Sequence, residues 1–257
     1  MRARAIALAL AGVLATWVCL WGVAPFADHL VRGASPVVAE AGFGAIVFGA
    51  ILLLAWGLGR VGGVAWRWAG FVRGAAVGLC ALLLAIGYCA LAGTLGRGGG
   101  SPLSLALPLG LLVVLVQVVA EEAMFRGVVQ PLLVRSIGGG AAVPLTALAF
   151  AALHAVLGGA APVMLVNMLL GGVLFGLLAL HRGLGAAIGA HVAWNALEQL
   201  GVGLDPNPGV GPFGAIVDLD LSGAARWGGS TAGLNGSFAM AIALLAAILL
   251  VWWRRPA

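Results

Sequence analysis

The chain has 257 residues, of which 63% are hydrophobic and 8% charged, with 42 glycines and a mean hydropathy of +1.14. A soluble domain is about 25% charged, so these figures exclude a soluble globule. All 13 basic residues are Arg and the formal net charge is +5. The arginines fall one or two per loop and make no patch, which argues against nucleic acid as a partner. Glycines without a period of three exclude collagen, and low charge excludes disorder. Continuous apolar runs, rather than alternating ones, argue against a transmembrane barrel. The expected class is all-α: one polytopic helical membrane domain over 1–257.

A membrane span needs about 20 apolar residues. Eight segments are predicted, at 5–26, 41–59, 74–95, 104–134, 142–157, 162–180, 184–201 and 236–253. The first follows Met1-Arg2-Ala3-Arg4, as a signal peptide would. Its run is longer than a signal h-region and Pro25-Phe26-Ala27 lacks the A-x-A cleavage pattern, so it reads as an anchor. Stretch 60–73, with Trp66, Arg67 and Trp68, reads as interfacial. The fourth segment is long enough to extend past a bilayer, and the fifth is short. Residues 202–235 form a long loop rich in Gly, Pro and Asp. Cys19, Cys80 and Cys89 lie in apolar runs with no CxxC or Cys/His cluster, and read as reduced packing residues.

Charge sidedness gives an orientation. With the N-terminus inside, Arg2, Arg4, Arg60, Arg67, Arg73, Arg135, Arg182, Arg254 and Arg255 are cytoplasmic. Only Arg32, Arg97 and Arg226 lie outside, and positive charge marks the inner side. Both termini are then cytoplasmic, as eight crossings require.

Several polar residues interrupt the apolar runs. Glu121 and Glu122 end the run Leu111 to Ala120, and Arg126 follows. A charge at the bilayer centre costs about 2.5–3.5 kcal/mol on insertion scales, so such residues persist when they pair or when they work. Glu122 and Arg126 have the favourable i,i+4 order. Glu121 lies about 100° round the helix, poorly placed for the same arginine, and is the candidate working acid. His154 sits in the fifth segment. His191 and Asn195 share one face of the seventh. At 1.5 Å per residue, Glu121, His154, His191 and Asn195 lie roughly 21, 20, 12 and 18 Å from the inner ends of their segments. The three segments thus offer polar groups at similar depth.

Two chemistries fit this set. A carboxylate beside a neutral His can orient and deprotonate water, while His and Asn donors stabilise an oxyanion. The same Glu121, His154 and His191 would also make a His₂Glu zinc set with one open position. Spacing does not separate them. The chain has no HExxH, GxGD or GxSG motif.

In order, Glu121-Glu122-Ala123-Met124-Phe125-Arg126 reads EExxxR, Phe150 to His154 reads FxxxH, and His191 to Asn195 reads HxxxN. The chain therefore resembles the CPBP family of intramembrane endopeptidases, also called the ABI or type II CAAX prenyl protease family. The likeness covers 115–200 most closely, which the resemblance implies is the catalytic core carrying the three motifs. It implies a helical bundle with a conical site in the membrane, open to the cytoplasm, and peptide hydrolysis by a glutamate-activated water. By resemblance Glu121 is the general base and His154 helps position the water. His191 and Asn195 are oxyanion donors, and Glu122 and Arg126 a supporting pair. No motif departs from the family pattern. No cofactor is needed on this reading, with zinc as the alternative. The implied substrate is a membrane-anchored or lipidated protein or peptide. Exclusive use of Arg suggests a bacterial inner membrane. The competing readings are a non-catalytic immunity or partner protein and a transporter using the buried acids.

Overall fold

The computed structural model describes residues 2–100, 103–158, 161–206 and 211–254. It contains eight helical rods, matching the eight expected segments within a few residues. The first rod joins α1 (Arg2–Val18), a π-helical turn at Cys19–Val23 and α2 (Ala24–Val31). Next come α3 (Pro36–Gly62) and α4 (Phe71–Leu91). The fourth rod joins α5 (Leu107–Met124), a π turn at Phe125–Val129 and α6 (Gln130–Ile137). Then follow α7 (Gly139–Gly158), α8 (Pro162–Arg182), α9 (Leu184–Ala196) with a π turn at Leu197–Val202, and α10 (Phe238–Trp253).

Five of these rods are long and apolar enough to cross a membrane: Arg2–Val31, Pro36–Gly62, Phe71–Leu91, Leu107–Ile137 and Pro162–Arg182. Helices α7 and α10 are apolar but shorter. The chain is an integral membrane protein of all-α class. Exposed Leu10, Leu14, Val72, Leu91 and Trp253 form part of the outer surface. A soluble protein would bury most of them, whereas a surface facing lipid has no reason to.

Two π turns have a common local cause. Each directly precedes a proline at the start of the following helix, Pro25 or Pro131. Proline has no N–H to bond the carbonyl four residues back and crowds it sterically, so the ladder loosens there. At Pro131 the carbonyl so released is that of Gly127. It accepts a hydrogen bond from Trp66 Nε1 at 3.1 Å. Segment 60–73 is therefore not merely laid on an interface: its Trp66 reaches inward and satisfies the fourth rod. Arg135 lies on α6, and its Nη1 and Nη2 donate to the carbonyls of Gly62 and Gly63 at 2.8 and 2.7 Å. Those carbonyls close the C-terminus of α3, where a cation is favoured.

Helix α9 lies at the centre of the bundle, with every residue from Leu184 to His191 buried. It packs on α4 so closely that a methyl group at Gly74 or Gly78 would collide with the backbone of Ala186 or Ala190. From the other side, a methyl at Gly185 or Gly189 would collide with the backbone of Trp68 or Phe71. Paired small residues four apart let two backbones approach and gain dispersion contacts, the main attraction between helices in lipid.

One feature lies outside the expected helices. The described residues of 202–235 do more than connect rods. Strand β3 (Leu219–Leu221) pairs antiparallel with β1 (Leu95–Arg97) and parallel with β2 (Leu204–Asp205). The register places Leu95 opposite Leu221 and Leu204 opposite Leu219. Pairing satisfies backbone groups of both loops, which have no helix to do so.

Candidate functional site

Helix α5 ends by presenting Glu121 and Glu122 to different surroundings. The Glu122 side chain is fully buried, while that of Glu121 is 14% exposed and borders a cavity. The angular offset between neighbours on a helix produces this split. One turn earlier, Gln117 Nε2 donates to Glu121 Oε1 at 3.1 Å and steadies the carboxylate.

Glu122 is the hub of a buried network. Its Oε1 accepts from Arg126 Nη1 and from His191 Nδ1, each at 2.9 Å. Arg126 Nη2 donates to the Gly172 carbonyl of α8 at 3.1 Å. The guanidinium carbon lies 4.5 Å from the Phe150 ring centre and 5.6 Å from that of Phe175. A carboxylate, a carbonyl and aromatic faces thus compensate most of this buried arginine. The phenylalanine of the FxxxH motif thus lies over the arginine of EExxxR. Among the described residues, Glu122 Oε2 and Arg126 Nε have no hydrogen-bond partner.

The two histidines are oriented by their Nδ1 atoms. His191 Nδ1 faces Glu122 Oε1 and its ring stacks on Phe175, with centres 4.6 Å apart. Its Nε2 stands 4.0 Å from Glu121 Oε2. His154 Nδ1 lies 2.9 Å from the Phe150 carbonyl. A carbonyl only accepts, so Nδ1 of His154 carries a proton, and in the neutral form of the ring the lone pair is at Nε2. Phe150 therefore supports both the arginine and the histidine.

Glu121, His154, His191 and Asn195 line one cavity of about 300 Å³. Four residues predicted from α5, α7 and α9 are thereby brought together. Glu122 and Arg126 stand behind the wall. Polar lining residues not singled out from the sequence are Gln117, Asn167, Glu198, Gln199 and Asn235. Gln117, Asn167 and Glu198 interrupt apolar runs as Glu121 does, so the same test could have found them. Asn235 lies in the long loop and had no such signal.

The donors do not fit a zinc ion as they stand. Among the described residues, the only three His, Cys, Asp or Glu whose ligand atoms all lie within 4.8 Å of one another are Asp205, Asp218 and Asp220. His191 Nε2 and Glu121 Oε2 meet that spacing, so His154 is the member that stands off. A tetrahedral zinc, with bonds of about 2.0–2.3 Å, needs all three closer.

Comparison with known proteins adds one finding. Residues 103–197 match the model of a family described as type II CAAX prenyl endopeptidase Rce1-like. That span contains all three motifs and every expected site residue. No curated protein and no solved structure matches the chain significantly.

Proposed function

Because residues 103–197 match the model of a family described as type II CAAX prenyl endopeptidase Rce1-like, we propose that the chain hydrolyses a peptide bond of a membrane-anchored substrate with water activated by Glu121. The observation that carries this reading is the separation of the two neighbouring acids. Glu122 is consumed by Arg126 and His191, while Glu121 borders the cavity. A carboxylate free to face water is a general base; one already accepting two charge-assisted bonds is a support.

In the proposed reaction Glu121 removes a proton from water as the oxygen attacks the scissile carbonyl carbon. The tetrahedral oxyanion is met by Asn195 Nδ2. It is also met by His191 Nε2 when that ring carries both protons, since Nδ1 must donate to Glu122. His154, in the form whose Nε2 lone pair is available, accepts from the attacking water and fixes its direction. Glu121 then gives its proton to the departing amine as the C–N bond breaks. Three things support these roles: shared lining of one cavity, the tautomer set by the Phe150 carbonyl, and the order of the motifs. No step needs a metal, and the spread of the His154, His191 and Glu121 donors favours the metal-free route over a zinc site. Chelators should then leave activity unchanged.

The orientation is also proposed, from the excess of Arg at one set of loops. Both termini are placed in the cytoplasm of a bacterial inner membrane.

Terminal-peptide mass spectrometry of membrane fractions tests the reaction. Cells carry wild type or Glu121→Gln at matched expression. New protein termini present only with the wild type are expected, with a loss of at least about 10²-fold in the variant. Identical termini in both, with the variant folded and inserted, would refute the endopeptidase reading and favour a partner or transport role. Asn195→Ala should lower the rate by roughly 10²–10³-fold, as loss of one oxyanion donor does.

A further inference from the structure

A second polar cavity opens at the end of the bundle where α1 begins and α3 and α6 finish. Its volume is about 530 Å³, within the range of about 300–1,000 Å³ typical of ligand pockets. Three rods supply its wall. Arg2 and Arg4 start α1, Val61, Gly62 and Gly63 close α3, and Arg135 lies on the last turn of α6.

Two of the three cations are anchored to the wall. Arg135 Nη1 and Nη2 donate to the carbonyls of Gly62 and Gly63, and Arg4 Nη2 donates to that of Val61 at 3.4 Å. These carbonyls are the negative end of α3, and the guanidinium groups cover it. A guanidinium has five N–H donors, so both arginines keep donors for a further acceptor. Among the described residues lining the cavity there is no Asp or Glu. Along the same rods, Asp28 and Glu40 stand more than about 30 Å from Arg4 and Gly62, and Glu122 about 20 Å from Arg135. The Debye length is about 8 Å at physiological salt, so these acids do not neutralise the three arginines.

The lining changes character with depth. Leu8 stands one turn beyond Arg4 on α1, Leu132 one turn before Arg135 on α6, and Ala5 lies between the arginines and Leu8. Both steps lead from the helix ends towards the middle of the bundle. A cationic rim therefore sits over an apolar floor. The oxygens of a phosphate match the planar fork of a guanidinium. In a phospholipid the glycerol and acyl chains continue below the phosphate, where the apolar floor receives them. A free phosphate has no part that uses that floor. Basic pockets between membrane helices on the cytoplasmic side suit anionic headgroups, and this is the end that the excess of Arg places in the cytoplasm.

We infer that this cavity is a binding site for an anionic phospholipid. Arg2, Arg4 and Arg135 donate to its phosphate, and Ala5, Leu8 and Leu132 lie beneath its glycerol and first methylenes. The bound lipid ties the start of α1 to the ends of α3 and α6. The site is independent of the endopeptidase reading, because none of these residues lines the cavity of Glu121.

The purified full chain in a neutral detergent is titrated with phosphatidylglycerol or with phosphatidylcholine, and retained lipid is counted by native mass spectrometry. Wild type should retain one phosphatidylglycerol at concentrations where phosphatidylcholine is not retained. Arg2→Gln/Arg4→Gln should weaken that binding roughly 30-fold, about fivefold per arginine. Arg67→Gln/Arg73→Gln removes two exposed arginines placed on the same side that do not line the cavity. It should weaken binding by less than about twofold, since screening confines the attraction to nearby charges. A photoactivatable phosphatidylglycerol should also crosslink to residues 2–8 or 132–136 of the wild type, a readout that needs no variant to fold. Equal weakening in the two double variants would reveal diffuse attraction to charge and overturn the site. Unchanged binding in Arg2→Gln/Arg4→Gln, equal retention of the two lipids, or crosslinks confined to other segments would overturn it as well. Displacement of the lipid by millimolar inorganic phosphate would reassign the cavity to a soluble phosphate and overturn the lipid as its occupant.

Discussion

At the residue scale, helix geometry gives two adjacent acids of the candidate site different surroundings, on which the proposed division of labour rests. Glu121 and Glu122 have the same chemistry and differ in direction. One looks into the cavity and the other into the bundle. Exchanging their tasks would need a turn of the helix, not a change of residue. Arg126 makes the division stable by compensating Glu122. Removing one member of a buried ion pair typically costs about 3–5 kcal/mol, because the other charge is left unpaired. Arg126→Ala should therefore lower the thermal midpoint in detergent severely. Arg126→Lys should fall between, since an ammonium has no planar fork to reach both Glu122 and the Gly172 carbonyl. A Lys variant as stable as the wild type would contradict the bidentate role. Most of this was legible beforehand. The acid pair, its arginine, both histidines and Asn195 stood out because each broke an apolar run. The roles of Phe150 were not legible, since stacking on Arg126 and supplying the His154 acceptor are contacts made across the fold.

At the element scale, two devices hold the site-bearing helices. The first is the exchange at Pro131. Trp66 supplies the N–H that Pro131 cannot give to the Gly127 carbonyl. An unsatisfied buried polar group costs about 1–3 kcal/mol. Trp66→Phe should cost an amount in that range, and clearly less in a Pro131→Ala background, where the new N–H can take the carbonyl. A double-mutant cycle on thermal unfolding reads this coupling; additive effects would show the bond to be incidental. The second device is the contact of α4 with α9. Gly78→Leu leaves no room beside Ala190. Overpacking typically costs about 1–3 kcal/mol, and here backbone rather than a movable side chain meets the new atoms. Destabilisation at the upper end or beyond is expected, with loss of activity, because α9 carries His191 and Asn195. A fully stable Gly78→Leu protein would show that the two helices separate freely. The eight rods themselves could be read from hydropathy. The π turns could be suspected at Pro25 and Pro131, but the partner of the freed carbonyl could not. The short sheet was missed because strands of two or three residues carry no periodic signal.

At the scale of the whole molecule, the arrangement places a polar cavity inside a body whose outer surface is largely apolar. The orientation is an electrostatic proposal and is tested independently of catalysis. Tags at both termini should be reached by a protease only from the cytoplasmic side, whereas a site inserted near Arg226 should be reached only from outside. Accessibility of both ends from outside would reverse the assignment. The amino-acid sequence by itself determined the membrane class, the number of rods and the three motifs. Composition, run length and residue spacing are local properties that lipid reads directly, since every span must satisfy its own backbone and expose apolar side chains. Only the tertiary structure decided which acid faces the cavity, which ring nitrogen of each histidine is engaged, and that Glu198 joins the same wall. Those are relations among helices far apart in the chain. Packing of α5 on α9, α7 on α8 and α8 on α9 sets them, and no spacing along one helix encodes the distance to another.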